Sequence, residues 1–286
     1  MEKKKTPARI FWITKDAGMN RLLWYLILVV LLSAFCFLTL NVWLLPYSIA
    51  YNENGIITPG YLLYAAIGIL FSTPTPFVSV LILSLFIERN GFKHMMRNIF
   101  RTEKKFRTVL ICGGFCLMAL IYALLCGIPN GQPWYMFIVG LIVMLPFVGV
   151  AEETGWRGIL LPELEKKMLY PFSVLLTAGI WCVWHFNLWL DQTSNHYNDS
   201  FIGFAINIFI WSFAMAALYK STKSVIACAV YHTFIDSIGA VWDWNTLFDA
   251  FPGNIQVNTF RMIWLVSSIV LWLWADRNHC TSRPCT

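Results

Sequence analysis

The chain has 286 residues, of which 58% are apolar and only 13% charged, with 14 tryptophans and a mean hydropathy of +0.62. That composition excludes a water-soluble globular domain and predicts a multi-spanning membrane protein. The formal net charge of +6 suits an anionic lipid headgroup surface, and nucleic acid is not an expected partner.

A helix needs about 20 apolar residues to cross ~30 Å of hydrocarbon. On that measure the predicted fold is an all-α bundle of about eight transmembrane helices, at 22–45, 61–86, 108–128, 134–152, 171–190, 201–219, 224–242 and 260–275. Residues 1–21 form a basic N-terminal segment, 22–275 the integral membrane domain and 276–286 a short tail. The first apolar run, Leu22 to Leu45, is longer than a signal-peptide core and is read as a retained span. The second holds Ser72-Thr73-Pro74-Thr75-Pro76, which predicts a kink because each proline removes a backbone donor and crowds the preceding turn. The loop at 89–107 is basic and carries Phe92, Phe100 and Phe106, a pattern that fits an interfacial helix.

The fourth run, Tyr135 to Ala151, ends on Glu152 and Glu153, with Arg157 four residues on. The fifth carries His185 between Trp181 and Trp189, and the seventh carries His232 and Asp236. All Lys and Arg residues except Arg261 fall before the first span or after the second, fourth, sixth and eighth. The positive-inside rule therefore predicts both termini in the cytoplasm. The eight cysteines show neither a disulfide framework nor zinc-ribbon spacing and read as small buried hydrophobes, Cys36, Cys112, Cys116, Cys126, Cys182 and Cys228 within apolar runs. No GxGxxG, P-loop, HExxH or CxxC motif and no convincing internal repeat is present.

Ionisable groups at membrane depth are kept where they pair or function. Glu153 and Arg157 are spaced to pair on one helix face, while Glu152 points about 100° away, toward Trp156. His232 and Asp236 share one stripe of their helix. A lone buried histidine can be a plain hydrogen-bonding group, and Glu153 with Arg157 a plain structural pair. Glu152, His185, His232 and Asp236, drawn from three helices, are the candidate functional site.

These residues carry a resemblance. Glu152-Glu153-x-x-x-Arg157, followed by Trp181-x-x-x-His185 and His232-x-x-x-Asp236, resembles the CPBP family, also called Abi, of type II CAAX prenyl endopeptidases and bacteriocin-processing enzymes. The match covers about residues 134–242 and includes Arg157-Gly158-Ile159-Leu160. The resemblance implies an intramembrane protease whose site lies within a bundle of about eight helices. It aligns Glu152 with the catalytic glutamate, His185 with the histidine that helps activate water, and His232 with a further catalytic histidine. It aligns Arg157 with the motif arginine, an orienting partner of Glu153. Trp181 stands where the family usually has Phe, and Asp236 where it commonly has Asn. An Asn amide can donate to an oxyanion, whereas an ionised Asp would repel it.

Two mechanisms are compatible with these residues. In one, Glu152 assisted by His185 deprotonates water and His232 stabilises the oxyanion, with no cofactor. In the other, Zn2+ is held by His185, His232 and a carboxylate such as Asp236, leaving one position for water. Either needs Glu152 deeper than the end of its span, and a water-filled cavity reached from the cytoplasmic side or laterally. The expected substrate is a membrane-associated protein or peptide, and the expected location a lipid bilayer, the bacterial plasma membrane. A non-catalytic bacteriocin immunity or scaffold protein and a proton-coupled transporter are the alternative functions.

Overall fold

The computed structural model describes residues 17–194, 196–243 and 255–280. Lys3, Lys4, Lys5, Arg9 and Lys15 of the basic N-terminal segment, and Arg283 and Cys285 of the tail, lie outside the described residues.

The chain runs through α1 (Asn20–Asn54), α2 (Pro59–Ser72), α3 (Thr75–Ile87), α4 (Phe92–Phe100), α5 (Lys105–Cys126), α6 (Tyr135–Glu165), α7 (Tyr170–Trp189), α8 (Phe201–Thr222), α9 (Val225–Ile238) and α10 (Ile255–Cys280). Local chemistry sets several of the ends. Thr58, Ser200 and Ser224 accept hydrogen bonds from the backbone N–H of Tyr61, Gly203 and Ala227, capping α2, α8 and α9. Gly55, at φ 68°, closes α1 in the left-handed conformation that favours glycine. The described sheet is a two-residue antiparallel ladder joining Ile128–Pro129 to Trp242–Asp243.

The all-α, polytopic membrane architecture expected from the sequence is present, with differences in detail. Among the described residues six helices are long and apolar enough to cross a membrane, and α2 with α3, bent by 59°, makes a seventh. The bend falls at the Ser72 to Pro76 segment, as the two prolines predict. The predicted span 224–242 is instead the 14-residue α9, which at 1.5 Å per residue reaches about 21 Å, short of the hydrocarbon thickness. It turns off at Gly239, whose N–H bonds back to Asp236 and Ser237. The tail predicted from 276 begins as helix, since α10 continues to Cys280.

The largest difference is in α6. The span expected to end at 152 continues unbroken to Glu165, 31 residues in all. Glu152 thus lies about 26 Å along the helix, with some 20 Å still to run. Its turns widen to π-type at Leu145–Val150 and again at Trp156–Leu160, on either side of the short regular segment Ala151–Gly155. Such widenings recur at functional sites. The first widening holds Pro146 and Gly149 and the second Gly158, and the helix passes all three without a break. Arg157, counted from sequence with a cytoplasmic loop, is consequently wholly buried in the bundle, and Arg261 is buried too.

α6 is clasped by α3 on one side and α9 on the other, with α1 alongside; α9 also packs on α5, α8 and the amphipathic α4. Glycines permit the close approach. A Cβ at Gly149 would run into Thr233 Oγ1 and the Ala229 carbonyl of α9, and one at Gly155 into Tyr25 of α1 and Pro76 of α3. In α4, Met95 and Ile99 are buried against the bundle while Phe92 and Phe100 stay exposed, the pattern expected of an interfacial helix. Cys36, Cys112, Cys182 and Cys228 are buried, as read from sequence, whereas Cys116 and Cys126 are only partly buried.

One end of the bundle is laced by ions. Arg21 pairs with Glu88 at 2.6 Å and Glu163 at 3.3 Å, Lys166 with Glu163 at 2.7 Å, and Lys220 with Glu165 at 2.9 Å and Asp276 at 3.4 Å. These pairs join α1, α6, α8 and α10 at the end that the sequence assigns to the cytoplasm.

Candidate active site

Three helices bring the predicted groups together around Trp181. On α6, Glu152 and Glu153 are 2% and 0% exposed and Arg157 is 0% exposed. Their burial replaces the sequence picture of a carboxylate pair at the edge of a span. The helical offset then sends the two carboxylates in different directions, as predicted.

Glu152 Oε2 accepts from the indole Nε1 of Trp181 at 2.7 Å and of Trp156 at 3.3 Å. Both donors converge on one oxygen, and Glu152 lines a cavity. Trp156 was foreseen from spacing; the Trp181 bond was not, because it joins separate helices. Trp181→Phe keeps an aromatic side chain but removes this donor and leaves a gap in a fully buried site. A hydrogen bond to a charged group contributes about 1.5–3 kcal/mol, so the variant is expected to lose thermal stability and, if the bond positions Glu152, about 10- to 100-fold in cleavage rate, measured on the folded fraction by parallel activity and unfolding assays.

Glu153 Oε1 accepts from Arg157 Nη1 at 2.8 Å, the pair expected from spacing. The same oxygen sits 2.9 Å from His232 Nδ1, a contact the sequence did not offer. Glu153 therefore holds both the arginine and the histidine. Arg157 also donates to Ser212 of α8 at 3.1 Å, and its guanidinium stands 5.0 Å from the centre of the Trp181 ring. On α9, His232 Nε2 is 3.4 Å from Asp236 Oδ2. A carboxylate oxygen thus faces each ring nitrogen of His232.

His185 Nδ1 lies 2.9 Å from the Trp181 carbonyl. A carbonyl only accepts, so Nδ1 carries the hydrogen and Nε2 keeps the free lone pair. The ring is walled by Trp184, Phe204 and Trp181 at centroid distances of 4.8, 5.2 and 5.6 Å. His232 also packs edge-on to Trp181, at 5.2 Å. Trp189 stacks on His196, which pairs with Asp199.

Glu152, His185, His232 and Asp236 all line one cavity of about 1590 Å³. Its lining stops at Glu152 on α6 and includes Asn130, His196 and Asp243 from the connecting segments at the far end of the bundle from the ion pairs. Toward the ion-paired end Tyr25 and Trp156, both fully buried, meet edge to face at 6.3 Å, and Leu26 of α1 and Leu176 of α7 carry the lining in that direction. The lateral part of the expectation has a counterpart, since the lining residues Val30 and Val183 are 64% and 73% exposed on the perimeter.

Two imidazoles and a carboxylate are suitable donors for zinc. Among the described residues, however, no three His, Cys, Asp or Glu side chains converge on a common point as a ligand set. His232 Nδ1 is already turned to Glu153 and Nε2 toward Asp236. The arrangement does not fit the His185, His232 and Asp236 set proposed from sequence.

Residues 133–238 match the family model described as type II CAAX prenyl endopeptidase Rce1-like. The chain is also 24% identical, over 196 residues, to CAAX prenyl protease 2 of Methanococcus maripaludis, an alignment covering 60% of this chain and 72% of that protein. Both matches support the CAAX/CPBP family, and the matched region holds every residue of the constellation around Trp181.

Proposed function

We propose, on the premise of that family, that this membrane protein is an intramembrane endopeptidase that uses Glu152 and His185 to activate water without a metal. The observation that carries the reading is the placement of Glu152: two indoles hold one oxygen of a carboxylate that lines the same cavity as His185 and His232. In the reaction Glu152 takes a proton from water as the new C–O bond forms at the scissile carbonyl. His185 Nε2, with its lone pair free, orients that water. His232, its ring fixed at Nδ1 by Glu153, donates to the oxyanion from Nε2, which lies 3.4 Å from Asp236 without a hydrogen bond to it. When the C–N bond breaks, the proton held by Glu152 passes to the leaving amine. Asp236 stands beside His232 Nε2, where a neutral carboxyl would add a second donor to the oxyanion and an ionised one would repel it. Glu153 and Arg157 position these groups without touching substrate. The bacterial plasma membrane is the proposed location.

The test is cleavage of a quenched-fluorescent, lipid-anchored peptide ending in a CAAX sequence, or carrying a leader-type internal site, by the purified protein in liposomes. Cleavage of either peptide, unchanged by a strong zinc chelator, is the expected result. A rate abolished by the chelator and restored by Zn2+ would overturn the metal-free mechanism, and no cleavage by any membrane-anchored peptide would overturn the protease reading.

A further inference from the structure

Four stripes run along the short helix α4. At about 100° per residue, Met95 and Ile99 share one, Phe92, Met96 and Phe100 the next, Lys93 and Arg97 the third, and His94 with Asn98 the fourth. Met95 and Ile99 belong to the main apolar core, while Phe92 and Phe100 are 52% and 55% exposed. Lys93, His94, Arg97 and Asn98 are exposed as well. Passing round the helix, a face on the bundle is followed by bare aromatic rings, then by two cations, then by polar side chains. That order suits a helix lying in a membrane surface, with its rings among acyl chains, its cations at headgroup depth and its polar edge in water.

The acids of this region are already taken. Between residues 85 and 110 they are Glu88 and Glu103, and these pair with Arg21 at 2.6 Å and Arg101 at 2.8 Å. Arg107 is spent differently, its guanidinium 4.1 Å from the centre of the Trp274 ring of α10. Lys93 and Arg97 therefore present their charge outward, with the exposed Lys104 and Lys105 following in the chain.

What binds α4 also bears on the helix that carries His232 and Asp236. α4 packs on α9, and Met95 and Ile99 join the same apolar cluster as Val225, Ala227 and Cys228. Just beyond α4, Thr102 Oγ1 lies 3.0 Å from Ser224 Oγ, the oxygen that accepts from the Ala227 N–H and caps α9.

We infer that α4 is a docking surface for anionic phospholipid headgroups, and that headgroups held there stabilise the bundle through α9. Lys93 and Arg97 take the phosphate oxygens, and Phe92 and Phe100 anchor the helix in the acyl chains beside them. Each Lys or Arg at an anionic membrane surface strengthens such binding about five-fold. The stripe of rings next to the cations is what selects a lipid over a soluble anion.

The test is the thermal transition of the full chain in vesicles of phosphatidylcholine, alone or with phosphatidylglycerol, at low ionic strength. The wild type is expected to unfold at a higher temperature in the anionic vesicles. Lys93→Gln combined with Arg97→Gln, both at exposed positions, is expected to lose that upward shift while matching the wild type in phosphatidylcholine. Lys93→Glu combined with Arg97→Glu is expected to reverse its sign. Equal wild-type transitions in the two vesicles, or an upward shift that the glutamine pair retains, overturns the inference. The same shift produced in phosphatidylcholine vesicles by inorganic phosphate also overturns it, since the surface would then hold a free anion rather than a lipid. No cleavage enters the readout, so the outcome is separate from that of the protease assay.

Discussion

Glu152→Gln is expected to abolish measurable cleavage while leaving a folded membrane protein. The amide keeps the volume of the side chain and can still accept from Trp181 and Trp156 through its oxygen, so the packing around 2.7 and 3.3 Å contacts survives. What it cannot do is take a proton from water. Loss of a positioned general base costs about 100- to 10,000-fold, and here the same group also returns the proton to the leaving amine. His185→Ala and His232→Ala are expected to fall by similar factors, the first by losing the Nε2 lone pair and the second by losing the oxyanion donor. Purified variants compared for cleavage rate and for thermal transition in detergent check this directly. A Glu152→Gln protein with full activity would remove the base from the account.

Arg157→Ala is expected to lose both stability and activity. The guanidinium is fully buried, bonded to Glu153 at 2.8 Å and Ser212 at 3.1 Å and placed against Trp181. Removing it leaves Glu153 with His232 in place of a buried cation as its partner, and deleting one partner of a buried pair costs about 3–5 kcal/mol. The loss reaches the chemistry because Glu153 Oε1 also fixes His232 and Trp181 fixes Glu152. Replacing both partners, Glu153→Gln with Arg157→Met, removes the stranded charge and is expected to restore part of the thermal stability but not the activity. If Arg157→Ala unfolds at the wild-type temperature, the pair is not the brace described.

What the sequence made legible was local. The offset of Glu152 from Glu153, the Glu153–Arg157 pair, the His232–Asp236 stripe and the proline bend all follow from helical spacing within a few residues, and each is found where spacing placed it. Contacts between helices were not legible: nothing in the chain order says that Trp181 donates to Glu152 or that Glu153 reaches His232. The end of the fourth span was misread for a physical reason. A cluster of charges normally marks emergence into water, but here Glu153 and Arg157 neutralise each other, so the helix carries them inside and runs on to Glu165. α9 was overestimated because Ala240, Val241 and Trp242 extend its apolar window, although Gly239 already ends the helix.

The central claim, peptide-bond hydrolysis dependent on Glu152, is tested most directly by comparing membrane proteomes of cells that carry the wild-type protein or Glu152→Gln at equal abundance. New peptide termini close to a membrane span or a lipidated end, present with the wild type and absent with Glu152→Gln, are the expected result. Identical sets of termini in the two membranes would contradict it.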